Sequence, residues 1–129
     1  MTERPLNEQG LPDGYPLQTD WEITPRKVKA LRDRGEAFVL LDVREAAEVA
    51  AASLPEYPGA VWVPMGEIKS RLSDLDEHAE DKVVVMCHHG ARSMQVTAFL
   101  RQHGFEDVRS MAGGIDLWSR DIDPNVPRY

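Results

Sequence analysis

The sequence predicts an α/β fold in which a central parallel sheet is flanked by helices on both faces, and three observations carry that reading. Apolar runs of strand length alternate with segments of helical spacing along most of the chain. The runs are apolar throughout instead of at every second position, the pattern of strands covered on both faces. At 129 residues the chain has the length of one domain with a core of its own.

Residues 1–20 are rich in Pro, Gly and polar residues (Arg4-Pro5, Gly10, Pro12, Gly14, Pro16) and have no apolar period, so they are expected to form an irregular N-terminal arm, with the domain occupying 21–129. Thr24-Pro25 has the form of an N-cap followed by proline at the first helical position. The helix it opens carries Val28 and Leu31 on one face and runs to Gly35. Ala37 to Leu41 is a strand. Asp42 follows, and with Glu45 three residues on it fits an N-cap and capping-box pair for a helix over Arg44 to Ala52, which Pro55 and Pro58 end. Ala60 to Val63 is a second short strand, and Ile68, Leu72 and Leu75 give helical spacing to residues 65–75. Val83 to Met86 is a third strand. A helix over Ala91 to His103 stops at Gly104, Val108 to Met111 is a further strand, and Gly113-Gly114 leads into a last helical turn with Ile115 and Trp118. Gly113-Gly114 is expected to give backbone room for a turn that passes close to the loop after the third strand.

Charge and composition exclude several classes. Acidic residues outnumber basic ones 22 to 15, a formal net charge of −7, which weighs against nucleic acid and anionic membranes as partners. No run approaches the ~18 apolar residues of a membrane span. A single cysteine and an N-terminus without an apolar signal core point to a reducing cytoplasm. An anionic substrate would therefore need a local positive site, and His88-His-Gly-Ala-Arg-Ser93 offers one, with two histidines, an arginine and no acid.

Cys87 closes the apolar run Lys82-Val-Val-Val-Met-Cys87 and stands directly before that loop and a helix. A strand that ends, turns and opens a helix points backbone N–H groups into the turn, at the positive end of the helix dipole. This reads as a reactive thiolate in an anion-binding loop, against the plainer reading of a small buried hydrophobe. Gly90 permits the tight turn. Arg92 puts a cation in the first helical turn, where the dipole disfavours it, which suggests an anion beside it; the alternative is an ion pair with Asp42 or Glu45. His88 and His89 add positive potential and hydrogen bonds near the thiolate, or are two exposed polar residues. Adjacent histidines in a tight turn, with no second Cys/His pair, do not compose a zinc site, so no metal is expected. Asp42 and Cys87 both end strands and should share the carboxyl edge of the sheet, where ligands bind in such folds. There Arg44 would face the loop.

Leu41-Asp-Val-Arg-Glu45, Gly59-Ala-Val-Trp-Val-Pro64, Cys87-His-His-Gly-Ala-Arg-Ser93, Gly104-Phe105 and Gly113-Gly-Ile-Asp-Leu-Trp118 occur in the order seen in the rhodanese family, which this chain resembles over about residues 21–129. The resemblance implies a rhodanese-like five-stranded parallel sheet and a sulfurtransferase that takes a sulfane sulfur onto its cysteine and passes it to a thiophilic acceptor. Carried over by position, Cys87 would hold the persulfide, residues 88–92 would cradle it, and Arg92 would bind the anion. His88, His89, Gly90, Ala91, Arg92 and Ser93 are the expected substrate-binding residues, with Asp42 and Arg44 in support and no cofactor. The tail Ile122-Asp-Pro-Asn-Val-Pro-Arg-Tyr129 resembles the end of rhodanese domains fused to adenylyltransferases of ubiquitin-like sulfur carriers. Where the family has Gly-His-Ile-Pro-Gly-Ala, this chain reads Ala52-Ser-Leu-Pro-Glu-Tyr-Pro-Gly-Ala60.

The expected partners are a small anionic sulfur donor, thiosulfate or a persulfide, and a cyanide, thiol or protein acceptor or carrier. Two alternatives stand beside this reading. Phosphatases and arsenate reductases of the same fold have one more residue between cysteine and arginine than the four here. A non-catalytic delivery or regulatory module typically loses the cysteine.

Overall fold

The computed structural model describes residues 3–129. Its sheet has five parallel strands: β1 (Glu22–Ile23), β2 (Val39–Asp42), β3 (Val61–Trp62), β4 (Val83–Met86) and β5 (Val108–Met111). Their order is β1-β5-β4-β2-β3, so β4 lies at the centre with β5 and β2 beside it. The helices are α1 (Pro25–Asp33), α2 (Ala46–Ala51), α3 (Leu72–Leu75), α4 (Ala91–Gln102) and α5 (Gly114–Asp121).

The all-apolar strands are explained by the two cores they separate. Leu41, Val83, Val85 and Val108 point to one face, where Val96 and Leu100 of α4 and Leu75 of α3 cover them. Leu40, Val84, Met86 and Met111 point to the other, against Val28 of α1 and Ile115 and Trp118 of α5. Every residue of β4 is buried. This is the geometry expected of the central strand in a sheet with helices on both sides.

Two local expectations change, and the arm adds a feature. The segment 65–75 is not one helix: a 3₁₀ turn at Met65–Glu67 precedes the single-turn α3 and a second 3₁₀ turn at Asp76–His78. Asp42 does not cap α2. It belongs to β2, paired with Met86 of β4 and Trp62 of β3, and the N-cap is Glu45, whose backbone N–H donates to the Glu48 side chain at 3.1 Å. The N-terminal arm is irregular, yet it is packed: Leu11 is 1 % exposed and lies with Ala112 and Leu117.

Candidate active site

Parallel register brings the carboxyl ends of β2 and β4 level. Asp42 pairs with Met86, and the Val43 N–H donates to the Met86 carbonyl at 3.0 Å, so Cys87 follows at the sheet edge where Asp42 ends. The chain then turns through Ser93. Gly90 sits at φ +107°, a conformation that side chains rarely adopt, and its position just before α4 swings the backbone into the helix.

That turn arranges donors around the sulfur. Cys87 Sγ accepts from the Gly90 N–H at 3.0 Å and the Ser93 N–H at 3.3 Å, and Ser93 Oγ lies 3.3 Å away. The thiol is 1 % exposed and unpaired with any other cysteine. The loop's carbonyls are drawn the other way: those of Cys87 and His88 accept from Ile115 and Asp116 in the first turn of α5, at 2.9 and 3.1 Å. The Gly90 and Ser93 N–H groups therefore face the sulfur while the Cys87 and His88 carbonyls face α5, which puts positive dipole ends on the sulfur.

The side chains around the loop form two ionic ties. Arg92, the second residue of α4, donates to both oxygens of Glu48 on α2, at 2.5 and 2.8 Å. This pair joins the helix after the cysteine to the helix after β2. The Arg92 hydrogen bonds, aided by the Glu45 N–H and the Tyr129 hydroxyl, overcome burial and hold the Glu48 carboxyl down at about 2. The sequence offered Asp42 or Glu45 as the acidic partner, and the structure supplies Glu48 instead. Asp42 is already taken: Arg44, wholly buried, grips both its oxygens at 2.9 and 2.7 Å. Arg44 also donates to the Glu48 carbonyl at 3.2 Å and to the Tyr129 hydroxyl at 3.0 Å, so its guanidinium is spent on tying β2, α2 and the C-terminal residue together.

His88 is packed between two rings. Its centroid is 3.8 Å from that of His89 and 3.9 Å from that of Tyr129, the latter nearly coplanar at 11°. Burial first, and then the neighbouring His89, push the His88 pKa down, so its imidazole is neutral at pH 7 and contributes packing in place of charge. His89 is largely exposed, 3.9 Å from Asp116. The ligand atoms of His88, His89 and Asp116 fall within 4.8 Å of one another, but Asp116 gives both oxygens to Arg128, at 2.9 and 3.1 Å. Ala91 is the exposed first residue of α4.

Four residues of the site were not foreseen from the sequence: Glu48, Tyr129, Ser110 and Asp116. Glu48 had a signal, since it stands three residues after Glu45 as a capping-box partner does. Ser110 had a weaker one, a small polar residue inside a strand. Nothing in the tail's sequence pattern shows that Tyr129 returns to the β4–α4 loop.

Similar proteins share this architecture. A putative sulfurtransferase of Bacillus subtilis, YtwF, is 35% identical over 103 residues, covering 80% of this chain and 94% of its own. An adenylyltransferase and sulfurtransferase of maize, MOCS3-1, is 31% identical over 134 residues, covering all of this chain, which spans 28% of that protein's length. Among solved structures, the human single-domain sulfurtransferase TSTD1 superposes with a TM-score of 0.64 at 27% identity, over 77% of this chain and 95% of its own. The family model for the rhodanese-like domain matches residues 24–121. That match runs from α1 through α5, and the chain belongs to the rhodanese-like domain family.

Proposed function

We propose that the protein carries a sulfane sulfur on Cys87, taking it from thiosulfate or a persulfide and giving it to a thiophilic acceptor. The observation that carries this reading is the pair of backbone N–H groups, from Gly90 and Ser93, directed at one buried sulfur in a loop with no acidic side chain. The Cys87 thiolate attacks the outer sulfur of thiosulfate. The new Sγ–S bond forms as the S–S bond to sulfite breaks, and sulfite leaves with the electron pair. Cyanide or a thiolate then attacks the terminal sulfur and returns Cys87 as the thiolate. Arg92 gives Glu48 its two terminal nitrogens, so its Nε–H remains for an anionic donor.

The acceptor in the cell is proposed to be a protein sulfur carrier. The match to the maize adenylyltransferase and sulfurtransferase over the whole of this chain, tail included, supports that choice over a free thiol.

Intact-protein mass spectrometry tests the central step. The wild-type protein should gain the mass of one sulfur atom on incubation with thiosulfate and lose it to cyanide. Cys87→Ser should do neither. Turnover of thiosulfate by the serine variant would overturn the assignment.

A further inference from the structure

We infer that Ser110 on β5 is a positioning residue for Cys87, its hydroxyl acting through Ser93 to favour the sulfur anion over the neutral thiol. Behind the sulfur, away from solvent, lies a chain of hydroxyls. Ser93 Oγ is 3.3 Å from Cys87 Sγ, 3.1 Å from the Gly90 carbonyl oxygen and 2.7 Å from Ser110 Oγ. Both serines are fully buried. Among the described residues the Ser110 side chain has a single hydrogen-bond partner, Ser93.

Counting protons fixes the direction of that bond. If Ser93 donated to Ser110, the Ser110 proton would be left without an acceptor in a site closed to water, which costs the desolvation of a hydroxyl. Ser110 is therefore the donor, and the proton on Ser93 is free to serve one of two acceptors. With a neutral thiol, the S–H donates to Ser93 Oγ and Ser93 donates to the Gly90 carbonyl. With a thiolate, the Ser93 proton turns to the sulfur, which then accepts from the Gly90 N–H, the Ser93 N–H and the Ser93 hydroxyl. One O–H rotation separates the two states.

The two states depend on Ser110 unequally. In the thiol state Ser93 Oγ accepts from both the S–H and Ser110. In the thiolate state the S–H is gone, and Ser110 is the remaining donor to Ser93 Oγ; it also polarises the O–H that faces the negative sulfur. Removing the Ser110 hydroxyl thus leaves Ser93 bare in the anionic state alone. In sulfur transfer, on the reading proposed above, this would hold Cys87 as a nucleophile before each donor arrives.

The test reads the thiol and not the transfer reaction, so it stands whether or not thiosulfate proves to be a donor. The rate of Cys87 alkylation by iodoacetamide is followed against pH for wild type, Ser110→Ala, Ser110→Thr and Ser110→Cys, with folding checked by circular dichroism. The loss of one hydrogen bond should slow alkylation of Ser110→Ala about 3- to 10-fold at pH 7 and move its profile to higher pH, with the alkaline plateau unchanged. Threonine, which keeps the hydroxyl, should restore the wild-type profile. Cysteine keeps the volume with a weak donor and should follow alanine; since its thiol is itself a target, the site alkylated is read by peptide mapping. The other titratable groups around the site (His88, His89, Arg92, Glu48, Asp116 and Tyr15) are the same in all four proteins. A folded Ser110→Ala with the wild-type profile overturns the inference. Should alanine fail to fold, a folded Ser110→Cys with the wild-type profile at Cys87 overturns it equally.

Discussion

Arg92 holds Glu48 with two hydrogen bonds while sitting in the first turn of α4, where a cation is unfavourable next to the helix dipole. Glu48 offsets that cost, and the paired guanidinium stays charged beside the sulfur. Removing it should therefore lower thiosulfate kcat/KM more than it disturbs the fold. An ionic hydrogen bond lost from the donor complex, worth roughly 1.5 to 3 kcal/mol, corresponds to a fall of about ten- to hundredfold in Arg92→Ala. Steady-state kinetics on the folded variant measures it, and an unchanged kcat/KM would leave Arg92 with its structural tie alone. The same pair sets a pH dependence. Folding lowers the Glu48 pKa from an ordinary 4.5 to about 2, so its contribution to stability is complete above 4.5 and disappears as the pH falls toward 2. Glu48→Gln has no such group to protonate. Its urea midpoint should accordingly fall less than that of wild type between pH 6 and pH 2.5, and parallel curves for the two proteins would show that the pair does not couple folding to protons. The sequence made Arg92 visible as a cation out of place but not its partner, because Asp42, Glu45 and Glu48 all lie within reach of a helix start. Which of them is free depends on Arg44 having already claimed Asp42.

At the scale of elements, the site is a strand, a loop and a helix held from behind by a second helix. The β4–α4 unit was legible because an apolar run, a glycine and a helical stripe follow one another without interruption. Capping was not, because Asp42-Val-Arg-Glu45 and Glu45-Ala-Ala-Glu48 have the same spacing and only the pairing of Asp42 with Met86 extends β2 far enough to exclude the first. The segment 65–75 misled for a different reason: periodicity reports the directions of Ile68, Leu72 and Leu75, and two 3₁₀ turns around a short helix can aim the same side chains inward. Gly113-Gly114 was read as room for a close turn, and the close approach is real. A methyl group at Gly114, which lies at φ +60°, would collide with the carbonyl oxygens of Cys87 and His88, backbone atoms that cannot turn aside without carrying the sulfur with them. Gly114→Ala should lose about 2 kcal/mol or more of stability and, if it folds, alkylate at Cys87 with altered kinetics. Thermal melting and the alkylation assay together check this; a variant that matches wild type in both would mean that α5 does not fix the loop.

Over the whole molecule, the clamp on the loop has its own support in the N-terminal arm. Leu11 is buried against Ala112 and Leu117, on either side of the first turn of α5, whose Ile115 and Asp116 N–H groups hold the Cys87 and His88 carbonyls. Arg26 adds a tie to the end of α5, donating to both oxygens of Asp121 at 2.8 and 2.9 Å. No period in the first 20 residues announces any of this, because an irregular strand of chain that buries Leu6, Leu11, Tyr15 and Leu17 one at a time has no repeat to detect. The two kinds of contact differ in weight. Arg26 is about half exposed, at 47 %, so water screens its pair with Asp121 and the pair should add little to stability. A fully buried leucine truncated to alanine costs roughly 2 to 5 kcal/mol, the larger values where the neighbours cannot close the cavity. Leu11 packs with Leu117 of α5 and with Ala112 just before the glycines, and Ile115 in the first turn of the same helix donates to the Cys87 carbonyl, so an inward shift there would carry the loop with it. Leu11→Ala should therefore lower the denaturant midpoint clearly more than Arg26→Ala does, with an unchanged slope for both. Its cysteine should also become more accessible to iodoacetamide below the unfolding transition, as the clamp loosens before the sheet does. If Leu11→Ala unfolds at the wild-type denaturant concentration, the arm lies on the surface without holding α5, and the Ile115 and Asp116 N–H groups keep the loop in place without its help.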